Sequence, residues 1–323
     1  MEPWSKDLAG RLDVHELDSA ALAGNPLGDP AQRPLWVYEP PGAEGATLPA
    51  IYLIQGFTGQ VDMWRNRSAF RPSVIELIDD LHAPARVVFV DAWTSLGGSQ
   101  FVDSPAVGNY HTYLCEDVVG FVDARYPTSA RAIAGKSSGG YGAMITAILR
   151  PDVFSGLATH AGDALFELCY LTEFPHVVRA LRDTYGGSYD AFLEDFRART
   201  AFTKASDPVL INTYAMAACY SAGELPFDTA TGQLKPDVWD RWLAWDPVRM
   251  VDTHADALRG LRAIYIDAGT RDEYFLDLGA EAFRRALERI GVTDVFFELF
   301  DAKHGGIEYR YPIALRYLAE RLQ

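Results

Sequence analysis

The chain has 323 residues, 49% hydrophobic and 23% charged, with 29 Lys plus Arg against 44 Asp plus Glu for a net charge of −15. That size accommodates one large α/β unit carrying an insertion, and residues 1–323 are read as a single such domain. The negative excess repels a phosphate backbone, no stretch approaches the roughly 20 apolar residues needed to cross a bilayer, and no metal-ligand spacing such as HExxH occurs. The expectation is therefore a soluble protein with no nucleic-acid or membrane partner and no metal.

The first segment, Met1 to Leu17, includes Asp7, Arg11, Asp13 and Glu16, and so lacks the continuous apolar core of a secretory signal. Three scattered cysteines, Cys115, Cys169 and Cys219, fit buried thiols in a reducing compartment better than a disulfide framework. Together these point to a cytoplasmic location.

Short β-branched runs alternating with helical patterns predict crossover units and a mostly parallel sheet. Arg11 to Leu17 and Pro34 to Tyr38 read as an antiparallel opening pair, with Pro40-Pro41-Gly42 as the tight connection. Strand-like runs follow at Ala50 to Ile54, Arg86 to Val90, Arg131 to Ala134, Gly156 to Thr159, Ala263 to Ile266 and Val295 to Phe300. Helical patterns cover Ser73 to Leu81, Tyr113 to Ala124, Gly140 to Leu149, Leu278 to Ile290 and Pro312 to Leu322. From Gly162 to about Leu258 the alternation stops, and a helical, aromatic stretch reads as an inserted cap over 162–258. Its Trp239, Trp242 and Trp245, spaced by three, share a helix face that serves either to fasten the cap or to wall a pocket.

The strongest local signal is Ala134-Gly135-Lys136-Ser137-Ser138-Gly139-Gly140-Tyr141-Gly142-Ala143, a GxSxG elbow between a strand and a helix. The residues two before and two after the apex approach each other and must be small. That condition selects Ser137, flanked by Gly135 and Gly139, over Ser138, whose flank would be Lys136. A serine at such an elbow takes its partners in the order acid, then histidine along the chain. His304, in the Gly-rich loop after the last strand run, is the candidate base. Asp272, after the penultimate run, is the candidate acid; Asp267 is still at the strand end, and Glu273 stays open as an alternative. Backbone N–H groups of Ser138 and Phe57, the latter in Gln55-Gly56-Phe57-Thr58-Gly59, are placed to receive an oxyanion. Gln55, Trp93, Asn109, Tyr110 and His160, near the carboxyl ends of strands, are candidate substrate contacts, and Thr94 adjoins them.

These pieces, with Leu48-Pro49-Ala50-Ile51-Tyr52-Leu53-Ile54-Gln55-Gly56-Phe57 and Asp267-Ala268-Gly269-Thr270-Arg271-Asp272, resemble the putative-esterase branch of the α/β-hydrolases, which includes esterase D, enterochelin-esterase relatives and mycolyltransferases. The resemblance implies an α/β-hydrolase fold, a Ser137, Asp272, His304 triad, oxyanion donors at Phe57 and Ser138, and no cofactor. Two positions depart from the branch: Gln55 stands where His is usual, and Ser138 where an apolar residue is usual. The expected activity is hydrolysis of a small-molecule carboxylic ester through an acyl-enzyme. Acyl transfer by the same triad and a non-catalytic binding protein on the same scaffold are the rival readings, and self-association is left open.

Overall fold

A computed structural model describes residues 6–201 and 203–323. Within them the central sheet has eight strands: β1 (Arg11–Asp18), β2 (Gln32–Glu39), β3 (Leu48–Ile54), β4 (Arg86–Val90), β5 (Thr128–Lys136), β6 (Gly156–His160), β7 (Ala263–Gly269) and β8 (Phe296–Phe300). Their spatial order is β1-β2-β4-β3-β5-β6-β7-β8. From β4 onward every pairing is parallel, while β1 with β2 and β2 with β4 are antiparallel.

The opening pair forms as the sequence predicts, but its connection is different. Residues 19–31 join β1 to β2, pinched shut where the Ser19 N–H donates to the Ala31 carbonyl at 3.0 Å. Pro40-Pro41-Gly42 instead leads out of β2 to β3, with β4 lying between those two strands. A tight-turn signal marks a change of direction; it does not say which strand comes next in the sheet.

Ten helices matter for the site: α1 (Val74–Leu81), α2 (Val119–Asp123, continuing a π-helical stretch at Tyr113–Val118), α3 (Ser138–Leu149), α4 (Phe174–Tyr185), α5 (Tyr189–Ala198), α6 (Asp207–Ser221), α7 (Pro236–Leu243), α8 (Pro247–Thr253), α9 (Leu276–Arg289) and α10 (Tyr311–Leu322). The start of α1 shows how local sequence sets a boundary. There the Ser73 hydroxyl accepts from the Glu76 N–H and the Glu76 carboxylate accepts from the Ser73 N–H, a reciprocal cap.

Alternation along the strands divides the core into two layers. Ile51 and Leu53 of β3, with Val87 and Phe89 of β4, pack under α1 and α10. Ala50, Tyr52 and Ile54, with Val88 and Val90, pack on the other face, together with α2, α3, α9 and the helices between β6 and β7. Those intervening helices run from Phe166 to Arg259 and occupy the stretch in which the sequence alternation stops. Their aromatic residues fasten them together. The Trp242 indole N–H donates to the Ser221 hydroxyl at 2.9 Å, and its ring meets Tyr170, Tyr220 and Phe174 at 5.4 to 5.7 Å. Trp239 joins the same cluster.

Beneath the sheet's carboxyl edge sits a buried charge network. Asp267 accepts from the Arg310 guanidinium at 2.8 Å, the Tyr265 hydroxyl at 2.7 Å and the His160 ring at 2.6 Å. Burial alone would raise the Asp267 carboxyl, but His160, Tyr265 and Arg310 hold it below its ordinary value. A depressed carboxyl adds stability above its ordinary value of about 4, and that stability is lost as the pH falls through its lowered folded value. Arg310→Met strands this charge in the core, and a urea titration at pH 7 is expected to show a loss of about 3 kcal/mol. The deficit should shrink as the pH falls below the carboxylate range; a deficit that stays constant across that range would contradict the assignment.

Candidate active site

Ser137 immediately follows β5 and precedes α3, with φ 57° and ψ −128°. That conformation is rare for a residue with a side chain, and close packing enforces it. A Cβ on Gly135 would lie 2.4 Å from the Gly139 carbonyl, and one on Gly139 would lie 2.5 Å from the Ile54 carbonyl. Only glycine at both flanks lets the strand, the turn and the helix meet. The Ser137 N–H donates to the His160 carbonyl at 3.0 Å and its own carbonyl accepts from the Tyr141 N–H at 2.8 Å, so the turn is pinned on both sides.

His304 Nε2 lies 3.1 Å from Ser137 Oγ, and His304 Nδ1 lies 2.7 Å from Asp272 Oδ2. The three side chains, from the ends of β5, β7 and β8, thus form one hydrogen-bonded line. Glu273, the alternative acid, does something else. Its carboxylate accepts from the His304 backbone N–H at 3.0 Å and pairs with Lys303 at 3.2 Å, so it holds the loop while Asp272 holds the ring. The bond from the His304 N–H draws the Glu273 carboxyl down to about 2. On the other side of the ring Tyr274 packs edge-on at 5.0 Å.

Phe57 and Ser138 both border the cavity in front of Ser137. The Ser138 N–H opens α3, where no carbonyl four residues back is available to it. The Phe57 N–H belongs to a loop held against the elbow: a Cβ on Gly56 would lie 3.0 Å from the Lys136 carbonyl and 3.4 Å from the Ser137 Cβ. The Thr58 N–H donates to the Gly97 carbonyl at 2.7 Å, fixing this loop to its neighbour. The phenyl ring of Phe57 fills the space that side chains at Gly97 and Gly98 would need.

The cavity measures about 570 Å³. One part of its wall comes from the strand-end loops, including Thr58, Lys136 and Glu308; the other comes from the segment between β6 and β7, including Asp163, Tyr170, Val209 and Ile211.

None of the five residues expected to touch substrate borders this cavity, so those expectations are corrected. The Gln55 carboxamide turns toward the end of β4, where its N–H group donates to the Val90 carbonyl and its oxygen accepts from the Ala92 N–H, both at 2.6 Å. Tyr110 is buried with its hydroxyl accepting from Arg33 at 2.6 Å, and the same guanidinium donates to the Trp93 carbonyl at 2.9 Å. Arg33, on β2, thereby holds the Tyr110 hydroxyl and the Trp93 backbone, while the Trp93 side chain is exposed. Asn109 lies in a short antiparallel pairing with Asp103. His160 shares the strand parity of Ala158 and faces the α10 layer, with its ring 4.9 Å from Tyr311 and bonded to Asp267. The tryptophans of α7 also stay clear of the cavity.

Asp163 is a wall residue that the sequence pattern does not single out. Its buried carboxylate accepts from the Tyr170 hydroxyl at 2.8 Å, Gln100 Nε2 at 3.2 Å and the Ser138 hydroxyl at 3.3 Å, and burial pushes its carboxyl upward. Its place two residues past Ala161, just after β6 at the carboxyl edge, was the available signal.

The sheet order, the strained serine turn and the position of the cavity together define an α/β-hydrolase. Residues 30–296 match the family described as Putative esterase, and the chain belongs to that family. S-formylglutathione hydrolase of Mus musculus is 26% identical over 140 residues, which cover 39% of this chain and 50% of that enzyme, so the chain spans about half the length of this curated relative. Among solved structures, an S-formylglutathione hydrolase from Agrobacterium tumefaciens matches with a TM-score of 0.61 and 18% identity over 99% of this chain and 98% of that one. A ferulic acid esterase matches at 0.58 and 18% over 98% of each chain. A fluorophosphonate-binding serine hydrolase of Staphylococcus aureus matches at 0.59 and 16% over 97% of this chain and 98% of that one. At these identities the structural likeness speaks for the fold.

The loop carrying His304 depends on Glu273. In Glu273→Ala the His304 amide is expected to exchange with solvent at least tenfold faster at pH 7, with the unfolding midpoint little changed. Because the Glu273 carboxyl titrates near 2, protection in the wild type should persist down to about pH 3 and fade below it; equal exchange in the two proteins would contradict this role.

Proposed function

We propose that the protein is a serine carboxylic-ester hydrolase that works through an acyl-enzyme on Ser137. The observation that carries this reading is the unbroken line from Asp272 to His304 to Ser137, with contacts of 2.7 and 3.1 Å, opening on the cavity. Family membership supports it from a separate direction.

In the cycle, Ser137 Oγ attacks the ester carbonyl while His304 Nε2 takes its proton. Asp272, bonded to Nδ1, keeps the ring in the tautomer that leaves Nε2 free to accept, and stabilises the imidazolium once it forms. The oxygen that becomes negative meets the N–H groups of Phe57 and Ser138, and the positive end of α3 adds to their pull. As the tetrahedral intermediate collapses, His304 returns the proton to the departing alcohol. Water then repeats the attack on the acyl-enzyme with His304 again as base, releasing the acid and restoring Ser137.

The helices between β6 and β7 act in this scheme as a cap that shapes the acyl side of the cavity. Three free, buried thiols support a reducing, cytoplasmic setting. A binding protein on this scaffold has no need of an intact Ser-His-Asp line, so the geometry favours an enzyme.

A fluorophosphonate probe is expected to label the wild type and not Ser137→Ala. Asp272→Asn should lower kcat on a 4-nitrophenyl ester by about 10³ to 10⁴, the scale of losing the correct imidazole tautomer. Equal labelling of wild type and Ser137→Ala, or full activity in Asp272→Asn, contradicts the reading. Product analysis with and without an added alcohol separates hydrolysis from acyl transfer: free acid as the main product in both supports hydrolysis, and a new ester as the main product supports transfer.

A further inference from the structure

Asp163 is a buried carboxylate that the ester-hydrolysis cycle does not use. It stands 7% exposed in the cavity wall. All three of its hydrogen bonds, from Tyr170, Gln100 and Ser138 at 2.8, 3.2 and 3.3 Å, converge on Oδ2. Oδ1 accepts none among the described residues, yet it is not sealed from solvent. For a side chain this buried, that solvent is the cavity it borders, so one carboxylate oxygen faces the bound ester beside Ser138, the neighbour of the nucleophile.

Asp163 also has no ion-pair partner among the described residues. His304 acts on it through space, burial pushes its carboxyl upward, and the three donors oppose that push without cancelling it. A carboxylate withdrawn from water with no cation beside it is unfavourable. The rest of the cavity border does not supply one. Glu173 and Glu308 are further acids there, against Lys136. Arg71 offsets Glu308 at 2.6 Å, and Lys136 acts on Asp163 only through space. The balance is negative, which draws cations in and repels anions.

We propose that Asp163 Oδ1 forms a cation subsite that selects esters whose acyl chain carries an ammonium group. This rests on the ester-hydrolase reading and names its substrate class. Asp163 belongs to the wall between β6 and β7, the acyl side in the proposed cycle, and not to the His304 loop, beside which the alcohol leaves. An ammonium donates to a single oxygen and brings the missing charge, whereas a guanidinium fork needs two free acceptors and a hydroxyl leaves the charge unmatched.

Two ester pairs of matched length test the subsite at about pH 6.5, where the amines are protonated: 4-nitrophenyl 3-aminopropanoate against 4-nitrophenyl butanoate, and 4-nitrophenyl 6-aminohexanoate against 4-nitrophenyl heptanoate. The wild type is expected to favour the charged member of at least one pair in kcat/KM, taken relative to the rates with hydroxide. In Asp163→Asn, which keeps the shape and removes the charge, the charged-over-neutral ratio for that pair should fall about 10- to 100-fold, the range for a hydrogen bond to a charged group. Any effect of Asp163 exerted through Ser138 touches both members alike and cancels in the ratio. Glu173→Gln removes a charge from the same border and should change the ratio by about threefold or less, the scale of an exposed pair. No preference in the wild type, a ratio unchanged in Asp163→Asn, or an equal fall in the two variants overturns the subsite. If Asp163→Asn fails to fold, inhibition of Glu173→Gln decides: hexylammonium must inhibit 4-nitrophenyl butanoate hydrolysis at a lower concentration than hexanamide, and equal inhibition overturns the proposal. Turnover of neither member of either pair overturns the ester-hydrolase reading itself, and the subsite with it.

Discussion

The Ser137 hydroxyl reaches the His304 ring because the backbone at Ser137 turns through φ 57° and ψ −128°, a conformation that costs an ordinary residue of order 1–3 kcal/mol. The surrounding structure is arranged to hold that turn. β6 accepts its N–H, the first turn of α3 binds its carbonyl, and the loop after β3 abuts Gly139 so closely that a single added methyl group cannot fit. Three strands and a helix therefore share responsibility for one side-chain position. The strain is local, while the packing that sustains it extends across the middle of the sheet.

The same constraint explains how the remaining groups arrive. Parallel strands deliver their carboxyl ends to one edge, so the loops after β3, β5, β7 and β8 converge without long excursions. The loops after β3 and β8 are each fixed by a bond of their own: Thr58 to Gly97, and His304 to Glu273. The two neighbouring acids divide the labour, with Asp272 on the imidazole and Glu273 on the backbone. Asp267, within β7 itself, lies in the buried network with Arg310 and His160 that supports the edge from below.

What the sequence makes legible is whatever local chemistry dictates. The glycines around Ser137 announce the elbow because sterics leave no substitute, the β-branched runs announce strands, and chain order with loop position points to His304 and favours Asp272 while leaving Glu273 open. The cavity wall is different in kind. Gln55, Tyr110 and His160 all stand near strand ends, yet each turns away because a long-range partner claims it: the β4 backbone for Gln55, Arg33 for Tyr110, Asp267 for His160. Those partners lie tens of residues off in sequence, where periodicity carries no information. Likewise the wall residues Val209 and Ile211 belong to a helix whose hydrophobic pattern is nearly uniform around its axis, so no face of it points to the site. The connection after β2 departs from its sequence pattern for a related reason, since a turn signal is local and strand order is not.

In the proposed cycle the Ser137 oxygen carries the acyl group during turnover. Intact-mass analysis of enzyme mixed with 4-nitrophenyl butanoate and quenched in acid within the first turnovers tests this most directly, followed by peptide mapping of any adduct. The expected result is a gain equal to one butanoyl group, mapped to the peptide holding Ser137 and absent from Ser137→Ala. An adduct on another residue, or hydrolysis proceeding at the wild-type rate in Ser137→Ala, would contradict it.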